Sequence, residues 1–442
     1  MQRVKPIITI LTSIFIMAVA LLPINTTAAE VDLQPILGST TPNPTDPKHL
    51  LLPYPFYNDT IGAGVGVALI AENYLQPQTM TVGSALMSAN GTGMLFLMDR
   101  NHRLPWLERL FVEPTLSVGK FQDIKTYTVG SPKYPNEQPG SNDSNKDNFV
   151  ESDGTDNWLD LNFKFLLPIG HGKENILPKY TLIDGIPTEG HPGGYHWNPF
   201  RSGRTFIETE FFYRSQELDD RNLPDQETSG IEVSLSWDNT DFYQNPSLGS
   251  FWRLFAARDW GALSESPSWT IVGTELSKYF DLGATESARQ RTLALNLWTV
   301  DSPTWDSSHT ENGETVYHRP PSYKGANLGG LWRLRGFPAT RFRDQAAIHY
   351  SAEYRHTLVW NPLKKYTMGG NLDVDWLQLV GFGDLGRVAD EWKLETLHED
   401  MKWSAGAGIR VMVNHLVVRC DMAASDEDVI AQVFISHPWP TR

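Results

Sequence analysis

The chain has 442 residues and a formal net charge of −15, from 37 Lys and Arg against 52 Asp and Glu. This acidic balance argues against nucleic acid as a partner, because phosphate backbones bind cationic surfaces. Cys420 is the single cysteine, which excludes an intrachain disulfide and argues against redox chemistry. The aromatic content of 11% suits a membrane barrel and a large soluble β-protein equally well.

Residues 1–29 have the pattern of a cleaved secretory signal peptide. A basic start precedes an apolar run from Ile7 to about Leu22, and small residues lead to Ala29, after which we place the cleavage. An uncleaved anchor is the alternative. Beyond this segment no apolar run has the roughly 18 residues that a spanning helix needs. The mature chain is therefore predicted to be either soluble or a closed β-barrel.

Residues 30–53 carry four prolines among Thr, Asn and Asp, which is typical of irregular, extended chain. We interpret this segment as an extended periplasmic lead-in, too short for a folded module. Residues 54–442 are predicted to form one β-barrel domain.

Sixteen strands are predicted in this domain, and an even number is what a bacterial outer-membrane barrel requires. The count depends on 121–129, without which it is odd. The candidate strands are 61–74, 79–89, 92–100, 109–119, 121–129, 155–167, 204–216, 229–238, 249–258, 268–282, 290–299, 346–358, 374–384, 403–413, 415–424 and 428–437.

The alternation along these strands places apolar residues on one face and charged residues on the other. In 350–358, Tyr350 and Tyr354 share one face, and Glu353 and Arg355 share the opposite face. A soluble barrel would keep charges out of its interior, whereas a membrane barrel has an apolar outside and a polar lumen. The pattern predicts an all-β fold, a 16-stranded antiparallel transmembrane β-barrel.

Strand parity assigns the long loops to the two ends of this barrel. With the N-terminus in the periplasm, 130–154, 300–345 and 385–402 fall outside, and the long connection 168–203 falls on the periplasmic side, where turns are usually short. This connection either plugs the lumen or serves in recruiting substrates.

Neither a catalytic motif nor a metal-binding pattern is recognisable in the chain. The nucleophile-elbow, zinc-protease and phosphate-loop patterns are missing. His171, His191 and His196 lack ligand spacing on a rigid element. We therefore predict no enzymatic activity, no cofactor and no metal.

Five short segments stand out in the second half of the chain. They are Trp237-Asp238-Asn239-Thr240-Asp241, Leu334-Arg335-Gly336-Phe337, Tyr350-Ser351-Ala352-Glu353-Tyr354-Arg355, Phe382-Gly383-Asp384-Leu385-Gly386, and Gly406-x-Gly408-x-Arg410 followed by Arg419-x-Asp421. In this order they resemble the outer-membrane assembly barrels of the BamA and TamA family, the bacterial surface antigen family. The resemblance covers about 229–437, and the first segment departs from the family's Asp-Thr-Arg-Asp turn. Unlike BamA and TamA, the chain has no room in 30–53 for POTRA modules, so it looks like a barrel-only member.

The resemblance implies that the extracellular loop with Arg335, Gly336 and Phe337 folds into the barrel. Its arginine would then meet Asp384 on the inner wall, with Glu353 nearby. Phe382 and Gly386 belong to the same inner-wall set. The alternative is that these charged groups are separately solvated in a wet lumen.

The resemblance also implies a function, namely insertion of proteins into the outer membrane or translocation across it. The expected partners are outer-membrane lipids and unfolded or secreted proteins. A passive channel or a lipid-handling barrel is the alternative.

We predict that a weak lateral seam joins the first and last strands. Its residues would be Gly62, Gly64 and Gly66 on one side and Gln432 and Phe434 on the other. An exposed strand edge is a template for an incoming strand.

Overall fold

The computed structural model describes residues 47–58, 61–178, 181–188, 191, 193–220, 222–264, 266–365, 374–413 and 416–435. They form one antiparallel sheet that closes on itself as a barrel. Its strands are β1 (Lys48–Asn58), β2 (Gly62–Glu72), β3 (Met80–Ser88), β4 (Gly93–Arg100, continued by the short His102–Leu104), β5 (Leu107–Thr126), β6 (Val150–Leu166), β7 (Arg204–Leu218), β8 (Gln226–Asp238), β9 (Gly249–Asp259), β10 (Trp269–Asp281), β11 (Ala288–Asp301), β12 (Ala346–Leu358), β13 (Val374–Ala389), β14 (Lys402–Val413), β15 (Leu416–Ala424) and β16 (Val429–Ile435).

The other elements lie in the connections. Two-stranded hairpins pair Leu182–Ile183 with Ile186–Pro187, Ser308–Glu311 with Glu314–Tyr317, and Ala326–Leu328 with Phe342–Asp344. Helix α1 spans Leu394–His398, and short 3₁₀ turns span Gly170–Lys173 and Pro362–Lys365. No helix in the described part of the chain is long and apolar enough to span a membrane.

The predicted sixteen-stranded barrel is confirmed, but two errors in the strand assignment cancelled in the count. The chain from 109 to 129 was divided into two strands, whereas β5 is one strand with a register shift between Phe121 and Ile124. Asp123 in that bulge has a φ of 58°, which interrupts the alternation. The strand that was missed is β1, which includes residues 48–53 of the predicted lead-in. Residues 1–46, including the predicted signal peptide, lie outside the described residues.

The orientation of side chains follows the alternation in the sequence. In β12, Tyr354 is 42% exposed on the outer face, whereas Glu353 and Arg355 are both fully buried inside. Cys420 is exposed on the outer face of β15. The long connections lie at the ends that parity predicts, with 127–149, 302–345 and 390–401 at one end and 167–203 at the other.

The turn between β8 and β9 is held together by the Asp241 carboxylate. This carboxylate accepts hydrogen bonds from the backbone N–H groups of Phe242 at 2.9 Å and Ser247 at 2.9 Å. The chain then enters β9 through Gly249, which has a φ of 108°. A Cβ atom on Gly249 would lie 1.9 Å from the Asn239 carbonyl oxygen, so only glycine fits at this position.

Replacing Gly249 with alanine should therefore lower the free energy of unfolding by more than about 3 kcal/mol, because backbone strain and a backbone clash add together. Gly283→Ala is the matched control, since Gly283 has a φ of 72° with nothing within 4 Å of an added Cβ. That change should lower the free energy of unfolding by only about 1 kcal/mol. Urea titration of heat-modifiable gel mobility measures both values, and equal costs would contradict the steric argument.

Candidate functional site

The loop with Arg335 folds into the barrel and contacts its inner wall. Leu334 takes a left-handed conformation with a φ of 57°, and its backbone N–H donates to His349 Nε2 of β12 at 3.1 Å. The Phe337 N–H closes the turn by donating to the Leu334 carbonyl at 3.1 Å. Between these two anchors, the Arg335 side chain points toward the wall.

Arg335 is 1% exposed and meets two carboxylates. Its Nε and Nη2 donate to the two oxygens of Asp384 at 2.9 and 2.8 Å, and its Nη1 donates to Glu353 at 2.6 Å. The guanidinium also stacks over the Phe382 ring, 3.6 Å from its centroid. The planar fork of arginine allows this bidentate contact, which lysine could not make. The structure thus brings Arg335, Glu353, Phe382 and Asp384 together.

Burial of Arg335 by itself disfavours its charge. The carboxylates of Asp384, Glu353 and Asp421 outweigh that effect and raise the pKa of Arg335 above its ordinary value. The guanidinium therefore remains charged at every accessible pH. Such a buried cation depends on its partners, because desolvation is costly without them.

The network is larger than the sequence resemblance implied. Glu353 also accepts hydrogen bonds from Arg355 at 2.9 Å and from Arg410 at 2.8 and 3.0 Å. Asp421 lies 3.7 Å from Arg335 and pairs with Arg419. Arg410, Arg419 and Asp421 belong to two of the segments that carry the family resemblance, Gly406-x-Gly408-x-Arg410 and Arg419-x-Asp421. The alternation along these segments did not by itself indicate which residues the three side chains contact. Four arginines and three carboxylates thus share one buried site.

Two glycines allow the loop to approach the wall this closely. A Cβ on Gly336 would lie 2.8 Å from Ser404 Cβ, and one on Gly386 would lie 2.9 Å from Leu328 Cδ1. The Gly336 carbonyl also accepts a hydrogen bond from Ser425 Oγ at 2.8 Å. The structure therefore places both predicted glycines at points of close contact between loop and wall.

Phe337 anchors the apolar side of the loop. It is fully buried and lies edge-on to Phe342, with ring centroids 5.0 Å apart. Around them a hydrophobic cluster inside the barrel includes Leu334, Trp298 and Val388. The loop is thus held by apolar packing as well as by charge.

The predicted seam residues are only partly at the seam. Gly62, Gly64 and Gly66 lie in β2, the second strand, where Gly64 and Gly66 make room for the rings of Phe56 and Tyr54 in β1. The first-strand assignment was therefore wrong, because β1 itself was missed. Gln432 and Phe434 do lie in the last strand, β16, where they pair in register with Asp421 and Arg419 of β15. The seam joins β1 to β16, and its register pair in the described residues is Tyr57 with Val433.

The ion network reaches the opposite end of the barrel through Arg355. Its Nη1 donates to the Pro246 carbonyl at 3.0 Å, in the turn between β8 and β9. That turn directly follows the segment Trp237-Asp238-Asn239-Thr240-Asp241, one of the five that carry the family resemblance. One chain of contacts therefore joins the inserted loop, the wall and the far turn.

The connection 167–203 crosses the barrel mouth at that far end. The tip of its hairpin reaches β13, where Trp376 Nε1 donates to the Gly185 carbonyl at 3.1 Å. A Cβ on Gly185 would lie 2.6 Å from Met412 Sδ of β14. Asp184 forms ion pairs with Lys364 at 2.9 Å and Arg289 at 3.4 Å, which lower the pKa of its carboxyl. Of the two predicted roles for this connection, its position fits a plug.

Comparison with known proteins identifies the family. Residues 194–434 match the Omp85 superfamily domain. The chain belongs to the Omp85 superfamily. No curated protein matches the sequence. Membership assigns this barrel to the bacterial outer membrane.

Two solved structures superpose on this barrel at low sequence identity. BamA from Haemophilus ducreyi lacking POTRA domains 1–3 superposes with a TM-score of 0.49 at 10% identity, covering 88% of this chain and 70% of that one. CdiB from Escherichia coli superposes with a TM-score of 0.50 at 13% identity, covering 87% of this chain and 62% of that one. The chain thus spans less than two thirds of CdiB.

Arg335→Ala and Asp384→Ala should each lower the free energy of unfolding by about 3–5 kcal/mol, because each change strands a buried charge. Arg335 is the only Arg or Lys of the described residues within 4 Å of the Asp384 carboxylate. In the double variant, the free energy of unfolding should therefore fall by less than the sum of the two single effects.

Urea titration of heat-modifiable mobility measures these changes. Lys393→Ala, which breaks an exposed pair with Glu391, serves as the control and should leave the transition in place. Wild-type transitions in both single variants would show that the pair does not stabilise the barrel.

Proposed function

We propose that this protein inserts proteins into the outer membrane or moves them across it, by opening the seam between β1 and β16. The observation that carries the proposal is the weakness of this seam. Strand β1 pairs with β2 along its whole length, from Lys48 to Asn58. In the described residues it pairs with β16 only at Tyr57 and Val433.

The composition of β1 explains this weakness. The Ala63 carbonyl of β2 accepts a hydrogen bond from the Ala89 N–H at 2.8 Å, so the backbone polar groups of Ala63 point toward β3. Those of Tyr57, its register partner in β1, therefore point toward β16. Antiparallel strands alternate the direction of their hydrogen-bonding groups, so Pro53 and Pro55 face the same side as Tyr57. Neither proline has an N–H to donate. Two donors are therefore missing from the edge that faces β16, while the pairing with β2 is unaffected.

An edge with few hydrogen bonds can pair with an incoming strand. Backbone groups left unpaired at a sheet edge are a template for strand addition. A substrate in an extended conformation, such as an unfolded outer-membrane or secreted protein, has the complementary groups. This chemistry supports the assignment to protein insertion or translocation rather than to small-molecule binding.

The filling of the lumen argues against the passive channel. The loop of Arg335 occupies the extracellular half, and Arg341 ties it to neighbouring loops by bonds to Glu427 at 2.7 Å and Ser144 at 2.6 Å. The hairpin Leu182–Ile183 with Ile186–Pro187 lies across the periplasmic mouth. An open channel would require both to move.

A disulfide across the seam should abolish most of the activity. The variant is Tyr57→Cys with Val433→Cys in a Cys420→Ser background, because Cys420 is the cross-strand neighbour of Val433 in β15. In proteoliposomes, the oxidised variant should fold an added outer-membrane barrel no faster than empty liposomes, and reductant should restore the rate. Heat-modifiable mobility of the added barrel is the measurement.

The control uses the same Tyr57→Cys with Ala63→Cys, its partner in β2. This disulfide locks β1 to a neighbour it already pairs with fully, so activity should be retained. Full activity of the oxidised seam variant would exclude seam opening.

The hairpin across the periplasmic mouth should keep the conductance of wild-type protein in planar bilayers low. Gly185→Val should raise that conductance severalfold, because the added side chain collides with the wall and displaces the hairpin. Gly313→Val is a matched control. Asn312 and Gly313 form a similar two-residue turn with positive φ angles, and an added Cβ at Gly313 meets nothing within 4 Å.

A large, steady current through wild-type protein would favour the passive channel. Equal conductance of the two variants would show that the hairpin does not close the mouth.

A further inference from the structure

A groove of about 390 Å³ runs across the outer face of β10, β11, β12 and β13. Its lining is mostly apolar, and Lys278 at one end is its one charged residue. The lining side chains on the outer face are Leu276, Lys278, Leu295, Leu297, Tyr350 and Leu385.

Two rows of cross-strand neighbours build the groove. One row runs Lys278, Leu295, Ala352 and Gly383 from strand to strand, and the adjacent row runs Leu276, Leu297, Tyr350 and Leu385. The first row ends in two very small residues, whereas the second consists of large ones. The step between them forms the floor and one wall of the groove.

The groove rises along the barrel from the periplasmic side. Lys278 lies near the periplasmic end of its strand, which finishes at Asp281. Gly383 lies in the middle of its strand, Val374–Ala389. A chain-like ligand with its head at Lys278 would therefore extend toward the centre of the membrane.

Lys278 is an outward-facing cation without a carboxylate partner. Its Nζ donates to Ser250 Oγ at 3.1 Å and lies 5.3 Å from the Trp197 ring centroid and 5.5 Å from that of Phe280. Across the described parts of the chain, no Asp or Glu oxygen lies within 4 Å of this Nζ. An ammonium group against a membrane needs an anion or water to offset its loss of hydration.

The aromatic side chains around Lys278 place it at the level of the lipid head groups. Trp197 comes from the periplasmic connection and is 60% exposed, and Tyr195 and Phe200 beside it are 65% and 73% exposed. The segment is pinned to the outer wall because Trp237 Nε1 donates to the Ser202 carbonyl at 2.9 Å. Exposed Trp and Tyr collect at the membrane–water interface.

We propose that this groove binds one phospholipid of the periplasmic leaflet. The lipid phosphate would accept a hydrogen bond from Lys278 Nζ under the Trp197 ring, and one acyl chain would lie over Ala352 and Gly383. An anionic phosphate supplies the charge that Lys278 lacks, and an acyl chain matches the apolar lining. The site uses neither the seam nor the lumen, so it is independent of the proposed function.

Native mass spectrometry of detergent-purified protein after incubation with phosphatidylglycerol tests the site. Lys278→Gln should retain about fivefold less lipid, because a single cation near a phosphate contributes on that scale. Gly383→Leu should lower retention similarly by filling the groove. An added Cβ at Gly383 meets its nearest atom only at 3.9 Å, so the barrel should fold normally.

Two controls separate this site from general lipid contact. Gly381→Leu adds the same side chain one outward position away on β13, where an added Cβ meets nothing within 4 Å. Arg258→Gln removes an outward cation beside Trp260 at the extracellular end. Both should retain lipid as wild type does. Wild-type retention by Lys278→Gln, or a loss as large in Gly381→Leu as in Gly383→Leu, would overturn the proposal.

Discussion

The buried charge of Arg335 is the constraint on which the rest of this barrel depends. A guanidinium that is 1% exposed is stable only when carboxylates surround it, so the wall must present Asp384 and Glu353 at that point. Those carboxylates in turn hold Arg355 and Arg410 in place. Since these five charges lie on the loop and on three strands, the network fixes the loop and the relative positions of β12, β13 and β14 together.

This arrangement concentrates stability on the inserted loop and β12–β15, and it leaves the adjoining seam between β16 and β1 weak. The ion network ties the inserted loop to β12–β14 and reaches the turn at Pro246, at the opposite end of the barrel. The seam, by contrast, has two prolines facing its edge and one register pair in the described residues. The proposed opening at this seam would leave the filled interior in place. The same wall carries the outer groove, where a bound lipid would add a further contact across β10–β13.

Much of the fold was predictable because alternation in a strand has a period of two residues. Inward Glu353 and outward Tyr354 could be assigned without coordinates, since neighbouring residues in a strand face opposite sides. Strand β1 was missed because Pro53 and Pro55 are turn signals in most contexts. Here they are tolerated because they face an edge that stays nearly unpaired even in the closed barrel. The division of β5 had a local cause, the bulge at Asp123, which shifts the alternation.

The sequence by itself determined the inward charges and the outward apolar face, because these follow from residue type and spacing. That the loop enters the lumen was implied only by the family resemblance. Only the tertiary structure decided which charges meet. Arg410, Arg419 and Asp421 were recognisable as motif residues, but their contacts with the Arg335 site depend on the register of strands brought together by the whole sheet. Closure likewise decided that β1, not β2, meets β16, and that the periplasmic connection crosses the mouth. Both depend on contacts between distant parts of the chain, which no local pattern encodes.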